Sequence, residues 1–296
     1  MSTATPGPFL PPPGHPPPPL DRPELPAGVE PTPTRPQWAA WTAWVALVGG
    51  FAGAIAGALV IGLVAAGFGA SLEDPPPAVN ILATVVQDLC LIGAAILMAR
   101  LAATPRPWDF GLRPTAFWPA VGWIVALLVG FFLFTAVWVA VIGADNTDET
   151  LPKELGAEDS DVALVAVALL VCVLAPLAEE FFFRGYFFTA LRSWRGMWPA
   201  ALITGLVFGG IHAGSSDPAF LVPLAALGTG LCLLYVKTGS LYPCVAAHAL
   251  NNSLAFGVSQ DWGWEILPVT VVALAILAGI FALVRRVSGP VPAWAG

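Results

Sequence analysis

From Ala40 onward the chain is a succession of long apolar stretches separated by short polar connections. About 20 apolar residues cross roughly 30 Å of hydrocarbon. On that measure eight stretches can be laid out, at approximately 40–68, 78–102, 117–143, 162–190, 198–213, 219–236, 240–258 and 265–284. The pattern predicts an all-α fold, a polytopic transmembrane helical bundle of about eight spans, with 38–296 as the transmembrane domain. The fifth stretch is short, and the fourth is long enough to include a tilted or interfacial end. Residues 1–37 are too proline-dense for helix or strand and too poor in large apolar residues to build a core. They predict a disordered, Pro-rich cytoplasmic tail that serves as a tether, or else as a docking site for a partner that reads Pro-rich motifs. No signal peptide is expected, because neither a positive start nor a continuous apolar run precedes Trp38.

Composition sharpens this picture. The 296 residues are 57% hydrophobic and 10% charged, and mean hydropathy is +0.79, whereas a soluble domain carries about 25% charged residues. The expected surroundings are membrane lipid, and no basic patch points to nucleic acid. Cys90, Cys172, Cys232 and Cys244 fall within apolar stretches without C-x-x-C spacing, so they read as buried small hydrophobes. Charge sorts the connections. Arg35, Arg100, Arg106, Arg113, Arg192, Arg195, Lys237, Arg285 and Arg286 fall on alternate ones, and Glu73, Asp74, Asp145, Asp148, Glu149, Asp217, Asp261 and Glu265 on the others. The positive-inside rule then places both termini in the cytoplasm of a multi-pass integral membrane protein, most simply in a bacterial-type plasma membrane. Trp38, Trp41, Trp118, Trp194 and Trp198 read as interfacial anchors.

The candidate chemistry lies inside the fourth stretch, LVCVLAPLAEEFFFRGYFF, where Glu179 and Glu180 stand in an apolar run. Ionisable groups cost about 2.5–3.5 kcal/mol each there on insertion scales, so they mark a pathway, a partner or a reaction. In a helix Glu180 and Arg184 are i and i+4 and share a face, where pairing offsets much of the cost of each charge. Glu179 points about 100° away. It is therefore expected to be unpaired and desolvated, a carboxyl poised to act as general base on water. The plainer alternative is a structural ion network of both glutamates with Arg184. His212 and His248 also fall on apolar stretches, four residues after Phe208 and four before Asn252, while His15 lies in the tail. Glycines at 205, 209 and 210 leave room for a second helix to approach His212. Glu179 lies 13 residues before Arg192 and His212 lies 17 after Arg195, placing both about 20–25 Å from the inner boundary. Gln87 and Asp88 in the second stretch read as cavity-lining groups, as partners of an arginine or, on the preferred account, as a helix-to-helix hydrogen bond.

The three elements EEFFFR at 179–184, F-x-x-x-H at 208–212 and H-x-x-x-N at 248–252, in this order, resemble the motifs of the CPBP intramembrane proteases, which include the CAAX prenyl endopeptidases. The resemblance covers about 160–258, the expected catalytic core. It implies that Glu179 and His212 activate the attacking water, and that His248 and Asn252 steady the oxyanion. Glu180 and Arg184 would be a supporting ion pair, and Phe208 would pack beside the site. A single side-chain amide aimed at an oxyanion contributes about 2.7–4 kcal/mol in known enzymes. Glu179, His212 and His248 also make a three-ligand zinc set with an open position for water, and the family is described both as metal-dependent and as using glutamate without a tightly held ion. Two readings of the cofactor therefore stand, none required or a catalytic zinc, with the metal-free one preferred because no H-E-x-x-H occurs.

The expected function is thus an intramembrane endopeptidase, glutamate-dependent or metallo, acting on a membrane-associated peptide or protein such as a prenylated CAAX-type tail. Two other classes compete. A proton-coupled transporter would use the same residues as a relay, but it predicts matched repeats that the two halves of the chain do not display. A non-catalytic membrane scaffold would keep the fold and bind through its tail, although every motif position here is filled.

Overall fold

The computed structural model describes residues 38–144 and 151–290. The expectations for the tail over 1–37, and for Asp145, Asp148 and Glu149, lie outside the described residues. Helices stand at all eight predicted places: α1 Ala40–Gly67, α2 Pro77–Ala99, α3 Phe117–Ile142, α4 Asp161–Arg195, α5 Met197–Ile211, α6 Leu221–Thr238, α7 Tyr242–Ser259 and α8 Ile266–Ser288. Among the described residues they form an all-helical bundle without a sheet, apart from one isolated bridge between Ala213 and Ser216. Six are long and apolar enough to cross a membrane, which makes the chain an integral membrane protein. The other two are α5 and α7. The first has only 15 residues, a rise of about 22 Å. The second is interrupted by His248, Asn251, Asn252 and Ser253. These are the helices that bring the two histidines, and neighbours must shield what they forgo in apolarity. Much of α7 is buried, whereas α3 buries only Ala120.

Small residues let the helices approach closely. A Cβ on Gly57 of α1 would stand 2.5 Å from Val86 Cγ1 of α2. On α5, a Cβ on Gly205 would stand 2.5 Å from the Ala225 carbonyl oxygen of α6, and one on Gly209 2.5 Å from that of Leu221. Without a hydrophobic drive between helices in lipid, such backbone proximity is what van der Waals packing exploits. Gly210, expected to share this role, has nothing within 4 Å of its would-be Cβ and takes no part.

The connections sort into two ends, as their charges require. Thr115 Oγ1 donates to the Thr238 carbonyl at 2.8 Å, Arg113 Nε to that of Gly239, and Leu241 N–H to that of Gly111 at 2.8 Å. This basic end fixes the start of α7. At the acidic end, Pro77 packs on Gly156. Arg113, assigned from sequence as a topological charge, is in fact buried. Trp38 also departs from expectation: it is 3% exposed and stacks 5.0 Å from Phe110 and 4.9 Å from Tyr186, so it is core and not an anchor. Trp41, Trp118, Trp194 and Trp198 are exposed. The four cysteines are free, three of them buried and Cys90 only half-buried.

Candidate active site

The helix that carries both glutamates is not uniformly α. Leu170–Leu174 and Phe181–Phe188 are π-helical, with the α-turns Ala175–Glu180 between them. Such wide turns cluster at functional sites, and the local chemistry accounts for both. Pro176 lacks an N–H, and the Ala175 N–H reaches back five residues to the Leu170 carbonyl. In the second segment the Thr189 hydroxyl donates to the Arg184 carbonyl at 2.9 Å. A strict 3.6-residue period cannot anticipate either segment.

Glu180 and Arg184 nevertheless meet. Arg184 Nη1 donates to Glu180 Oε1 at 2.7 Å, and both side chains are fully buried. The pair is embedded in further contacts: Arg184 Nη2 donates to the Gly228 carbonyl at 3.0 Å, and the guanidinium lies 4.5 Å over the ring of Phe208. His248 Nδ1 lies 2.9 Å from the same Glu180 oxygen. A carboxylate accepts, so this nitrogen carries the proton and His248 Nε2 is left to face the cavity.

Around Glu179 the arrangement differs. Its Oε2 stands 4.0 Å from His212 Nε2 and 4.0 Å from His248 Nε2, and it accepts no hydrogen bond. His212 Nδ1 donates to the Phe208 carbonyl at 2.7 Å, so its Nε2 also presents a lone pair. Glu179 Oε2 thus stands from each histidine Nε2 at a separation too wide for a direct hydrogen bond and wide enough for a bridging water. The ring of Phe208 lies 4.8 Å from that of His212 and 5.7 Å from that of His248, filling the space between them.

Glu179, His212 and His248 line a cavity of about 440 Å³. Leu151, Leu155 and the turn Ala213–Ser216 bound it at the acidic end. Asn252 lines it too, donating from Nδ2 to the Val171 carbonyl at 2.9 Å, which leaves its second amide N–H uncommitted. Two contributors were missed or misjudged from sequence. Asn251 lines the cavity and donates to Asn252 Oδ1 at 3.3 Å; the doubled asparagine was its one signal. Asp88 takes the less favoured of its sequence readings, lining the cavity with Gln87 and not making a helix-to-helix hydrogen bond, its Oδ2 buried without a hydrogen-bond partner. Its charge in an apolar run was visible, but which helix α2 would face was not.

The donor set of Glu179, His212 and His248 is chemically right for zinc. The spacing is not. Ligands 2.0–2.1 Å from a tetrahedral ion stand about 3.3 Å apart, against 4.0 Å here. Among the described residues no three His, Cys, Asp or Glu side chains are grouped closely enough to hold an ion.

Residues 161–254 match the family model of the type II CAAX prenyl endopeptidase Rce1-like proteins. An Escherichia coli protein named "Uncharacterized 24.3 kDa protein" is 31% identical over 150 residues, 47% of this chain and 69% of that one. The chain belongs to this family. The resemblance carried by the three motifs therefore holds, and with it membership of a group of membrane endopeptidases. A second relative, "Putative membrane peptidase YdiL" of Bacillus subtilis (strain 168), is 27% identical over 139 residues, 46% of this chain and 53% of its own length. No solved structure matches.

Proposed function

We propose that this protein hydrolyses a peptide bond of a membrane-associated substrate with a water activated by Glu179. The observation that carries this reading is the equal 4.0 Å approach of two histidine Nε2 atoms to the unbonded Glu179 oxygen inside a cavity of the bundle. Glu179 accepts a proton from the water as the hydroxide adds to the scissile carbonyl, with His212 holding the water through its Nε2 lone pair, and passes that proton to the leaving nitrogen as the C–N bond breaks, giving acid and amine. His248 has the Glu180 carboxylate behind it, an orientation that supports positive charge on the ring when it accepts a proton. With a proton taken up from solvent at Nε2 before the attack, the ring donates from Nε2–H, together with the free N–H of Asn252, to the developing oxyanion. The wide spacing of Glu179 from the two histidines favours the metal-free form of this chemistry.

The substrate class follows the family's name only in part: a prenylated CAAX-type tail is one such membrane-associated peptide. The charge sorting of the connections supports cytoplasmic termini in a bacterial-type plasma membrane. Reconstitution of the full chain and its Glu179→Gln variant in proteoliposomes, with membrane peptides scored for new N-termini by mass spectrometry, tests the reading. New termini made by the wild type and absent with the variant are expected. Equal processing by both would remove Glu179 from the reaction.

A further inference from the structure

The mechanism leaves one buried carboxyl of the cavity unused. Asp88 is 6% exposed, lies on α2 opposite the motif helices, and has a buried oxygen with no hydrogen-bond partner. It lines the same cavity as Glu179. Thr84, one helical turn earlier on the same face, and the neighbouring Gln87 line it too.

What the cavity lacks is as informative. Among the described residues, none that lines it is a lysine or arginine. The Arg184 guanidinium on the motif helix is fully buried and committed to Glu180 and the Gly228 carbonyl. Lys153 is mostly exposed, pairs with Glu158 at 3.5 Å, and lines an adjoining cavity. Apart from His212 and His248, which gather at Glu179, the titratable groups of the described lining are the carboxyls of Asp88 and Glu179, and a cleft of that make-up focuses a negative field at the Asp88 side. It favours a cation and repels an anion, and repulsion is half of specificity.

We propose that Asp88 is a specificity residue that receives a lysine or arginine side chain of the substrate peptide. This rests on the reading that the cavity cleaves a peptide. A long, flexible organic cation suits the site better than a bare ion, because the surrounding ligands are not at metal spacing and the volume of about 440 Å³ admits a side chain beside an extended backbone. Apolar membrane segments end in Lys and Arg, so substrates of this chemistry meet the protein in the bilayer.

The test uses purified full-length protein and fluorogenic apolar peptides that are identical except for Lys, Gln or Glu, placed at each central position in turn. Cleavage and binding, the latter by fluorescence anisotropy, are measured separately. For the best position the Lys peptide is expected to exceed the Gln peptide by about tenfold in kcat/KM, with Glu below both. Asp88→Asn should collapse the Lys-to-Gln ratio to within about twofold, and Asp88→Glu should keep it, which guards against a folding artefact. Cleavage without charge preference overturns the subsite and leaves the peptidase standing. Charge-selective binding that Asp88→Asn abolishes, with no peptide cleaved, supports the subsite and removes the hydrolase. Absent or charge-blind binding overturns the subsite.

Discussion

His248 and Arg184 share one oxygen of Glu180, at 2.9 Å and 2.7 Å respectively. The glutamate that neutralises the buried arginine thereby also sets the ring of a cavity histidine. Stability and chemistry are coupled through a single carboxylate, while Glu179, its neighbour in sequence, is left free of hydrogen bonds at Oε2.

Replacing Glu180 by Gln is therefore expected to damage both. Removing one partner of a buried pair costs about 3–5 kcal/mol, which thermal unfolding in detergent would register. Joint replacement, Glu180→Leu with Arg184→Met, should recover part of that stability and none of the cleavage. Were Glu180→Gln as stable as the parent, the pair would contribute nothing.

Glu179→Gln should separate the two properties in the opposite sense. Loss of a general base typically lowers the rate by about 10²–10⁴-fold. Since Glu179 Oε2 makes no hydrogen bond, the unfolding temperature should stay close to that of the parent. Peptide cleavage and unfolding measured on one preparation check this.

Asn252 offers a subtler case. In a π-turn the Val171 carbonyl would bond to the N–H of residue 176, but that residue is proline, and Asn252 supplies the missing donor. Asn252→Ala should lower kcat by about 10²–10³-fold and cost about 1–3 kcal/mol through the orphaned carbonyl. Adding Pro176→Ala restores a backbone donor. Stability is expected to return while kcat stays low; recovery of both would make Asn252 purely structural.

The paired glycines of α5 predict a sharp contrast. Gly209→Ala places a Cβ 2.5 Å from the Leu221 carbonyl oxygen and should push α5 and α6 apart, displacing His212, whereas Gly210→Ala meets nothing within 4 Å. Unfolding temperature and cleavage should fall for the first variant and hold for the second.

Chelation addresses the cofactor. With Glu179 as base and no resident ion, dialysis against 1,10-phenanthroline should leave cleavage by the proteoliposomes unchanged. Loss of activity that zinc restores would install a metal at Glu179, His212 and His248 and require the side chains to close by about 0.7 Å from their present spacing.

Much of this architecture was legible in one dimension. The eight apolar stretches coincide with the helices to within a few residues, because chain length against hydrocarbon thickness is a local quantity. The Glu180–Arg184 contact was legible for the same reason, being a matter of one turn on one helix. The errors have the opposite character. Trp38 was placed at an interface and lies in the core against Phe110 and Tyr186. Gly210 was counted with its neighbours and faces open space. The relation of His248 to Glu180, 68 residues away, had no sequence signal at all.

Local spacing and hydropathy were enough to announce a membrane bundle with a carboxylate pair, two histidines and an asparagine at membrane depth. That His248 would share the Glu180 oxygen with Arg184, that Asn252 would answer a gap left by Pro176, and that Asp88 would turn into the cavity were decided only when the helices packed. Periodicity fixes the direction of a side chain relative to its own helix axis; the rotation of each helix against its neighbours comes from contacts between residues far apart in the chain.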